Sequence, residues 1–504
     1  MGQQQVDREA YRKVTEAFRH HQKGATVADI VAKTALPLHT VRELVPRAAD
    51  EYSARLEVTE SGEILYSFPR GFISKYRSFK ARFGRFMEKF GKGLKIAAAA
   101  VFKVWIMVML VGYFVLFMLI ALASLMISVA ASSQSSNSRS SNRGGGIGGM
   151  YFASGIFNLI IRIWFYSELT KSMDHRYYGR SPQAARPKGR PLYKAIFSFV
   201  FGDGDPNTDW DSREKQAVIA WLQKNRGVIS LPEFMALTGN SPAEAEGRIT
   251  GYCAEFGGLP EATDDGTVVY RFDELLLRAD KANIGSKDRS FTGFSAPIKR
   301  LFSFSSNTKK MNGWFGVINS VNLIFGGYFL YNTLTTGAVL TQAHFDAASY
   351  LYGVTYILSS TLITNPLPVL TIGLGIVPLV FSALFWLIPA LRYFGVKRDN
   401  ETIKRENLRK SGYGQIWDKP LAVKPADIDP KAEECRPKNM ALARDQIIKE
   451  IGAYAMPDVA IGQAGETVYA FTELEREKEA LEKYRAGIKD DASALGKTVF
   501  DSEG

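Results

Sequence analysis

Two long apolar runs separated by a polar turn constrain the fold more than any other feature of this 504-residue chain. The first run covers residues 96–131 and contains one charge, Lys103, and the second covers residues 150–166 and contains one charge, Arg162. A helix that crosses a bilayer needs about 20 predominantly apolar residues. We therefore predict a transmembrane hairpin at 96–168, in which the Ser/Gly-rich stretch between the two runs forms the turn.

A second apolar region lies at 313–396 and predicts two further crossings, one at Trp314–Thr333 and one at Leu367–Phe394. The stretch 347–364 between them is also apolar, so it either enters the membrane as a re-entrant segment or forms a fifth crossing. Lysine and arginine residues cluster at 392–410, and such residues tend to stay on the cytoplasmic side. This asymmetry favours four crossings with a re-entrant segment.

Glycine and proline mark particular places in the second apolar region. Gly326-Gly327 and Gly373-x-Gly375 are candidates for close helix contacts, because small residues let two backbones approach each other. Four prolines lie in or beside the last apolar run and predict a kinked or broken helix there.

The polar parts of the chain contain a repeated pattern. Three stretches, SGEILYSF at 61–68, DGTVVYRF at 265–272 and AGETVYAF at 464–471, each place a glycine turn before Tyr-x-Phe. Successive tyrosines are 204 and 199 residues apart, which predicts duplication of a module of about 200 residues. We expect these tyrosines and phenylalanines to lie in a core, and the third copy has no evident first helix.

Helical patterns precede each of these hairpin patterns. They cover 6–21, 26–32 and 38–52 in copy one, 214–225, 231–238 and 242–256 in copy two, and 440–454 in copy three. Glu214 is the expected capping-box acid of the helix that starts near Asp211. Three helices followed by a β-hairpin resemble a winged-helix domain. The resemblance concerns the fold, and it implies small α+β domains that bind either DNA or other proteins.

The predicted fold class is an α-helical integral membrane protein with small α+β, winged-helix-like soluble domains and an internal repeat of about 200 residues. In chain order we predict winged-helix-like domain 1 (1–69), a basic amphipathic juxtamembrane helix (70–95), transmembrane hairpin 1 (96–168), a basic Pro-rich linker (169–210), winged-helix-like domain 2 (211–278), a basic linker (279–312), transmembrane region 2 (313–396), a partial domain 3 with a charged helix (397–488) and a polar, frayed tail (489–504).

The stretch 70–95 combines many cations with phenylalanines at helical spacing. This combination is typical of a helix that lies on anionic headgroups, and a solvated linker helix is the alternative. The predicted lipid-headgroup contacts are Arg70, Lys75, Arg77, Lys80, Arg82, Arg85, Lys89, Lys92 and Lys95.

Nucleic acid is an unlikely partner in this interpretation, although the net charge of the chain is +12. The third predicted helix of copy two carries one cation, Arg248, against three glutamates, and those of copies one and three are near neutral. DNA affinity needs a cationic face that contacts phosphates. The excess positive charge lies beside the apolar runs instead, which favours anionic lipids and other protein subunits as partners.

The sequence contains no pattern that indicates catalysis or cofactor binding. Cys253 and Cys435 are isolated and form neither a disulfide framework nor a zinc pattern. We therefore predict no catalytic, cofactor-binding or metal-binding residues, and a protein that is not an enzyme.

The leading hypothesis is a multi-pass scaffold or assembly protein of the inner (cytoplasmic) membrane, with cytoplasmic soluble domains and an oligomeric state. A membrane-tethered DNA-binding regulator is the first alternative. A small transporter or channel is the second alternative, because of the kinked last span.

Overall fold

The computed structural model describes residues 2–21, 24–69, 71–72, 93, 97–133, 191–279, 296–336, 348–462, 465–488 and 495–502. The described residues are mostly helical, with three small β-sheets. Contacts divide the chain into two bodies, which we call the hairpin body and the apolar body. The hairpin body takes Met1–Met87, Asp205–Phe302 and Lys397–Gly504, and the apolar body takes Glu88–Gly204 and Ser303–Val396.

Several predicted segments lie outside the described residues. They are most of the basic helix 70–95, the second apolar run 150–166 with Arg162, and the linker stretches 169–190 and 280–295.

The helices are α1 (Gly2–His20), α2 (Val27–Thr34), α3 (Leu38–Glu51), α4 (from Ala97 through a π-helical turn Val108–Gly112 to Tyr113–Ser133), α5 (Leu192–Phe201), α6 (Trp210–Lys224), α7 (Leu231–Thr238), α8 (Pro242–Phe256), α9 (Lys309–Thr335), α10 (Tyr350–Ser360), α11 (a π-helical turn Val369–Ile376 followed by Val377–Asp418), α12 (Met440–Tyr454) and α13 (Thr472–Gly487). The strands are β1 (Arg55–Thr59), β2 (Ile64–Ser67), β3 (Val228–Ser230), β4 (Leu259–Ala262), β5 (Val268–Arg271), β6 (Asp458–Ile461), β7 (Thr467–Ala470) and β8 (Thr498–Asp501).

The hairpin body contains three modules, each with helices followed by a two-stranded hairpin. Module 1 consists of α1, α2, α3, β1 and β2, and module 2 consists of α6, β3, α7, α8, β4 and β5. Local signals start their helices: Thr26 and Asp29 form a reciprocal capping box on α2, and Ser241 and Glu244 form one on α8. Glu214 forms no such cap, because α6 already begins at Trp210 and Glu214 is buried.

Module 3 begins with the end of a long helix. Residues 397–418 of α11 belong to the hairpin body, and α12, β6 and β7 complete the module. Leu408 and Tyr413 on this part of α11 are 0% and 1% exposed, so it packs as a first helix would. The sequence pattern did not predict this helix, because lysines and arginines interrupt its apolar positions. Such a basic stretch resembles a linker beside a membrane span.

The three hairpins share one register. The hairpin tyrosine lies opposite a residue of the first strand in the pairs Leu56–Tyr66, Pro260–Tyr270 and Val459–Tyr469. On its other side the tyrosine pairs with a residue that follows the first helix, in the pairs Ala25–Tyr66, Ile229–Tyr270 and Val423–Tyr469. The repeated Tyr-x-Phe pattern therefore corresponds to one repeated position in the strand pairing.

One apolar core contains side chains from all three modules. The predicted core phenylalanines Phe68, Phe272 and Phe471 are buried, as is Tyr66, whereas Tyr270 and Tyr469 are partly buried. The prediction of a core role is thus confirmed for four of the six residues.

Thr498–Asp501 within the predicted tail form strand β8, so the prediction of a frayed tail is wrong for these residues. Strand β8 pairs antiparallel with β1, and the amide of Ser502 donates a 3.0 Å hydrogen bond to the Leu56 carbonyl. The Arg55 guanidinium binds the Asp501 carboxylate, with 2.9 Å between Nε and Oδ1. Polar composition predicted fraying, but β8 is held by a partner strand that lies more than 400 residues away in the sequence.

Among the described residues, three helices of the apolar body and the adjoining part of α11 have the length and composition to cross a membrane, at Ala97–Ser128, Lys309–Thr335 and Val369–Asp418. They contain three of the four predicted crossings. Helix α10 lies within the predicted segment 347–364 and has 11 residues. At 1.5 Å per residue it is about 16 Å long, which is short of the roughly 30 Å hydrocarbon core.

Small and polar residues join the helices of the apolar body. A Cβ added at Gly326 of α9 would lie 3.0 Å from the Leu379 nitrogen, and one at Gly375 would lie 3.2 Å from the Leu330 Cβ. The predicted close contact is therefore confirmed at Gly326 and Gly375, where an added Cβ would push the neighbouring helix away.

Two buried asparagines of α9 also bind neighbouring backbones. Asn322 donates a 2.8 Å hydrogen bond to the Leu110 carbonyl in the π-helical turn of α4, and Asn319 donates a 2.9 Å bond to the Ser382 carbonyl of α11. A π-helical turn disturbs the regular helical ladder and leaves carbonyls for such partners. Lys103 of α4 lies 4.5 Å from the centre of the Phe197 ring.

Candidate functional site

The predicted contact residues, the nine cations from Arg70 to Lys95, lie outside the described residues. Phe72 comes from the same stretch and is described. Its ring stacks on Tyr52 at 3.7 Å between centroids and meets Phe68 edge-on at 5.1 Å. This phenylalanine therefore packs on module 1, whereas the helical spacing predicted a lipid-facing position.

The helices that precede the hairpins, α3, α8 and α12, pack together through α8. Helix α8 contacts both α3 and α12. A Cβ added at Gly257, which ends α8, would lie 3.3 Å from a methyl group of Leu38 on α3. In helix-turn-helix proteins the equivalent helix enters the major groove of DNA. In this chain, α8 is instead part of the junction between modules.

Cations on and beside these helices bind carboxylates of the same body. Arg248 on α8 binds Glu214 at 2.5 Å, and Arg42 on α3 binds Glu274 at 3.0 Å. Arg444 of α12 lies 3.2 Å from Asp429. Each of these guanidinium groups would have to leave a carboxylate before it could contact a phosphate.

A buried ion pair joins module 2 to the C-terminal helix α13. Arg485 donates two hydrogen bonds to Glu233, at 2.8 and 2.5 Å, and both side chains are 3% exposed. Glu233 also accepts a 3.2 Å bond from the Trp221 indole, and Arg485 donates a 2.6 Å bond to the Val228 carbonyl. Such a pair fixes the position of α13, because either charge alone would be costly to bury.

A second buried charge cluster joins modules 2 and 3. The Lys410 ammonium of α11 lies 3.6 Å from Glu214 and 4.2 Å from the centre of the Trp210 ring. Arg409 binds Glu450 of α12 at 2.9 Å, and Glu450 also accepts a 2.6 Å bond from the Tyr413 hydroxyl. The Lys410–Glu214 pair lies between modules 2 and 3, whereas the partly exposed Arg409–Glu450 pair lies within module 3.

A cavity of about 510 Å³ lies between the module 2 hairpin and α13. Part of its polar lining is already paired: Lys483 lies 3.5 Å from Asp265, and the Tyr484 hydroxyl donates to Glu261. This lining contains neither cysteine nor histidine. The arrangement offers hydrogen-bonding groups but no nucleophile with an adjacent base.

The two thiols are also poor nucleophiles. Burial raises the pKa of Cys253 and of Cys435 to about 11. A thiol with such a pKa is almost entirely protonated at neutral pH and therefore reacts slowly. Within the part of the chain that the structure describes, no three His, Cys, Asp or Glu side chains are grouped so that they could hold a metal ion.

Exposed apolar side chains occur on the hairpins of modules 2 and 3. Val459 and Ile461 on β6 are 63% and 82% exposed, and Met456 just before β6 is 82% exposed. Leu259 on β4 and Val268 on β5 are also exposed. Exposed apolar side chains grouped on an edge strand are typical of a surface that pairs with another chain.

No protein-family model matches the chain, and no solved structure matches it. Over 429 residues it is 23% identical to an uncharacterized chloroplastic protein of Arabidopsis thaliana, and the match covers 81% of this chain and 73% of the plant protein. A match of this length includes residues of both bodies.

Sequence reasoning missed the residues that join the modules. Glu233 could have indicated a contact between modules, since a glutamate in the apolar helix LPEFMALT needs a partner for its charge. Its partner Arg485 lies 252 residues away and has no distinguishing pattern.

Proposed function

We propose that this protein is a non-enzymatic, multi-pass membrane scaffold whose three winged-helix-like modules form one platform that binds other proteins. The observation that carries this proposal is the packing of α8 against both α3 and α12. This packing gives α3, α8 and α12 a structural role in the junction between the modules. The hairpins remain as the accessible elements.

The order of elements supports a winged-helix assignment. Module 2 has the order helix, strand, helix, helix, hairpin, with β5 between β3 and β4. Module 1 reproduces the pairing of the first strand as a single bridge between Ala25 and Tyr66, and module 3 as a bridge between Val423 and Tyr469. The shared register supports duplication of one module.

The grouping of the modules supports a membrane topology of four crossings. All three modules belong to one body, so the chain must cross the membrane an even number of times between successive modules. Between modules 2 and 3, α9 and the apolar part of α11 supply two crossings, and α10 is too short for a third. Between modules 1 and 2, α4 requires a second crossing, for which 150–166 is the candidate. Four crossings result.

The basic residues that flank the crossings support a cytoplasmic position for the modules. We therefore place the protein in the inner (cytoplasmic) membrane, held on anionic lipid by the cations at 70–95. The plant relative is named as chloroplastic.

Two measurements on the full chain test the proposal. After an alkaline carbonate wash, the protein should remain in the membrane pellet, and release into the supernatant would contradict membrane insertion. Detergent-extracted protein should bind duplex DNA weakly at 50 mM salt. Tight binding that falls by about 10³-fold or more at 200 mM salt would support the DNA-binding regulator instead.

A small transporter is the second candidate function, and the buried amides of α9 favour it. Asn319 and Asn322 are fully buried, and their Oδ1 atoms accept no hydrogen bond from the described residues. Polar groups inside membrane spans often mark solute paths, although here the amide nitrogens already bind adjacent helices. Ion or solute flux in vesicles that contain the purified protein, lost in Asn319→Leu, would favour this function over the scaffold.

A further inference from the structure

The first strands of the three hairpins, β1, β4 and β6, share one register. Their outer edges, however, have different surroundings. Leu56, Pro260 and Val459 occupy the same position, each opposite the hairpin tyrosine. At this position the backbone groups point away from the hairpin. Tyr469, for example, exchanges two 2.9 Å hydrogen bonds with Val423 on its other side, so Val459 opposite it directs its own groups outward.

In module 1 the chain itself covers the outer edge. Strand β8 pairs with β1, the Leu56 carbonyl accepts from Ser502, and the Leu56 amide donates to the Ser502 hydroxyl at 3.0 Å. This is strand addition, in which an extended segment completes the ladder at an open edge.

In module 2 the edge is blocked. Pro260 has no N–H to donate, and proline at this place is a common way to prevent edge pairing. The neighbouring Glu261 accepts a hydrogen bond from Tyr484 of α13, which further covers the strand.

In module 3 the edge is open. Strand β6 has the sequence Asp-Val-Ala-Ile, all four residues are exposed, and among the described strands only β7 pairs with it. Val459 and Ile461 each direct an N–H and a C=O outward, as Leu56 and Val58 do toward β8. Their side chains share one face and are apolar.

Charge excludes the chain's own C-terminal strand as the natural occupant of this edge. On β1, Asp501 is held by Arg55. The register places Asp458 of β6 at the position of Arg55, so the same strand would bring two carboxylates together on β6.

We propose that the β6 edge pairs antiparallel with β6 of a second copy of this chain around a twofold axis at Ala460. This pairing places Val459 opposite Ile461 of the second copy, in both directions, and Asp458 opposite Gly462, so that apolar groups meet and like charges do not. It forms about four backbone hydrogen bonds and joins two hairpins into one four-stranded sheet. The inference rests on the proposed function, because so short an edge needs the high effective concentration that a shared membrane provides.

Oxidative crosslinking in membranes tests the pairing. Ala460 is the residue on the axis, where Cα atoms of facing residues are about 4.5 Å apart, which suits a disulfide. Ala460→Cys should form a disulfide-linked homodimer with copper phenanthroline. The wild type, in which Cys435 is buried and Cys253 is half-buried, should not, and neither should Leu259→Cys, an exposed position on the edge that Pro260 blocks.

Val459→Pro supplies the second control. It copies Pro260 at the equivalent position, so the hairpin tolerates it, yet it removes one outward N–H from each copy. In the Ala460→Cys background it should lower the crosslinked fraction about tenfold or more. Crosslinking equal to that of Ala460→Cys alone would overturn the proposal, as would a disulfide adduct that contains a different protein.

The outcomes separate this inference from the proposed function. Protein that stays in the carbonate-washed membrane but forms no Ala460→Cys dimer contradicts only the twofold pairing. Protein that leaves the membrane in the wash contradicts the scaffold proposal itself.

Discussion

Arg485 of α13 and Glu233 of α7 form a bidentate ion pair in which each side chain is 3% exposed. Removal of Arg485 leaves the Glu233 charge buried, with the hydrogen bond from the Trp221 indole as its remaining side-chain partner among the described residues, and uncompensated buried charges are strongly destabilising. Arg485→Met should therefore destabilise the protein by about 3 kcal/mol or more. The measurement is thermal unfolding of the detergent-extracted protein, followed by circular dichroism.

Two control variants accompany this prediction. The double variant Arg485→Met/Glu233→Gln should recover most of the loss, because a neutral amide replaces the unpaired charge. Lys483→Met removes an exposed pair with Asp265, with side chains 69% and 54% exposed, and should change stability by less than about 1 kcal/mol. If Arg485→Met unfolds at the same temperature as the wild type, the ion pair does not stabilise the protein.

Stability should fall as pH rises, because of Glu477 on α13. Burial raises the pKa of Glu477 to about 7, with a smaller effect from the nearby Glu233, while the hydrogen bond from Tyr454 opposes the shift. Its folded-state pKa lies above its unfolded value, so the folded state binds the extra proton between about pH 4.5 and 7. The stabilisation is fully present below pH 4.5 and is lost as pH rises through 7.

Glu477→Gln isolates this effect. The variant should lose the decline in melting temperature between pH 5 and 8 that the wild type shows, since glutamine does not ionise. Glu479→Gln, at an exposed position on the same helix, is the matched control and should keep the decline. If the melting temperatures of the wild type and of Glu477→Gln fall equally between pH 5 and 8, a group other than Glu477 causes the decline.

A side chain at Gly326 should destabilise the packing of α9 against α11. A Cβ there would lie 3.0 Å from the Leu379 nitrogen, and that backbone cannot move without shifting α11. Gly326→Ala should cost about 1–3 kcal/mol, the usual penalty of overpacking. Gly327→Ala, whose Cβ would lie 3.9 Å from the nearest atom, should be near neutral when both are melted in lipid nanodiscs.

Strand β8 should depend on the amide of Phe500, which lies opposite Val58. Phe500→Pro removes this donor and should expose the β1 edge, so that hydrogen exchange at the Val58 amide becomes faster. Phe500→Ala keeps this donor and should leave the Val58 amide protected. Protection in Phe500→Pro equal to that in Phe500→Ala would mean that the Phe500 amide does not hold the strand.

Local signals explain which elements the sequence could predict. Helices 231–238, 242–256 and 440–454 were predicted with the bounds that the structure shows. For the first two, Ser230 and Ser241 mark the starts, and Gly239 and Gly257 mark the ends in left-handed conformations. These signals lie within a few residues of the helix ends, so no tertiary information is needed.

Long-range contacts explain what the sequence could not predict. Strand β8 forms because it pairs with the edge of β1 and because Asp501 binds Arg55. Both partners are far from Asp501 in the sequence. The first helix of module 3 is the continuation of a helix that begins in an apolar run. The strand registers are needed to see that Pro260 and Val459 occupy equivalent positions on their strands.

The central claim is that three modules form one platform on a single side of a membrane. Cysteine substitutions at Glu16, Ala254 and Asp445, one exposed position in each module, allow a direct test with a membrane-impermeant maleimide on sealed vesicles of one orientation. The account predicts that all three label alike, either all before permeabilisation or all only after it. Labelling of one position from the opposite side to the other two would contradict it.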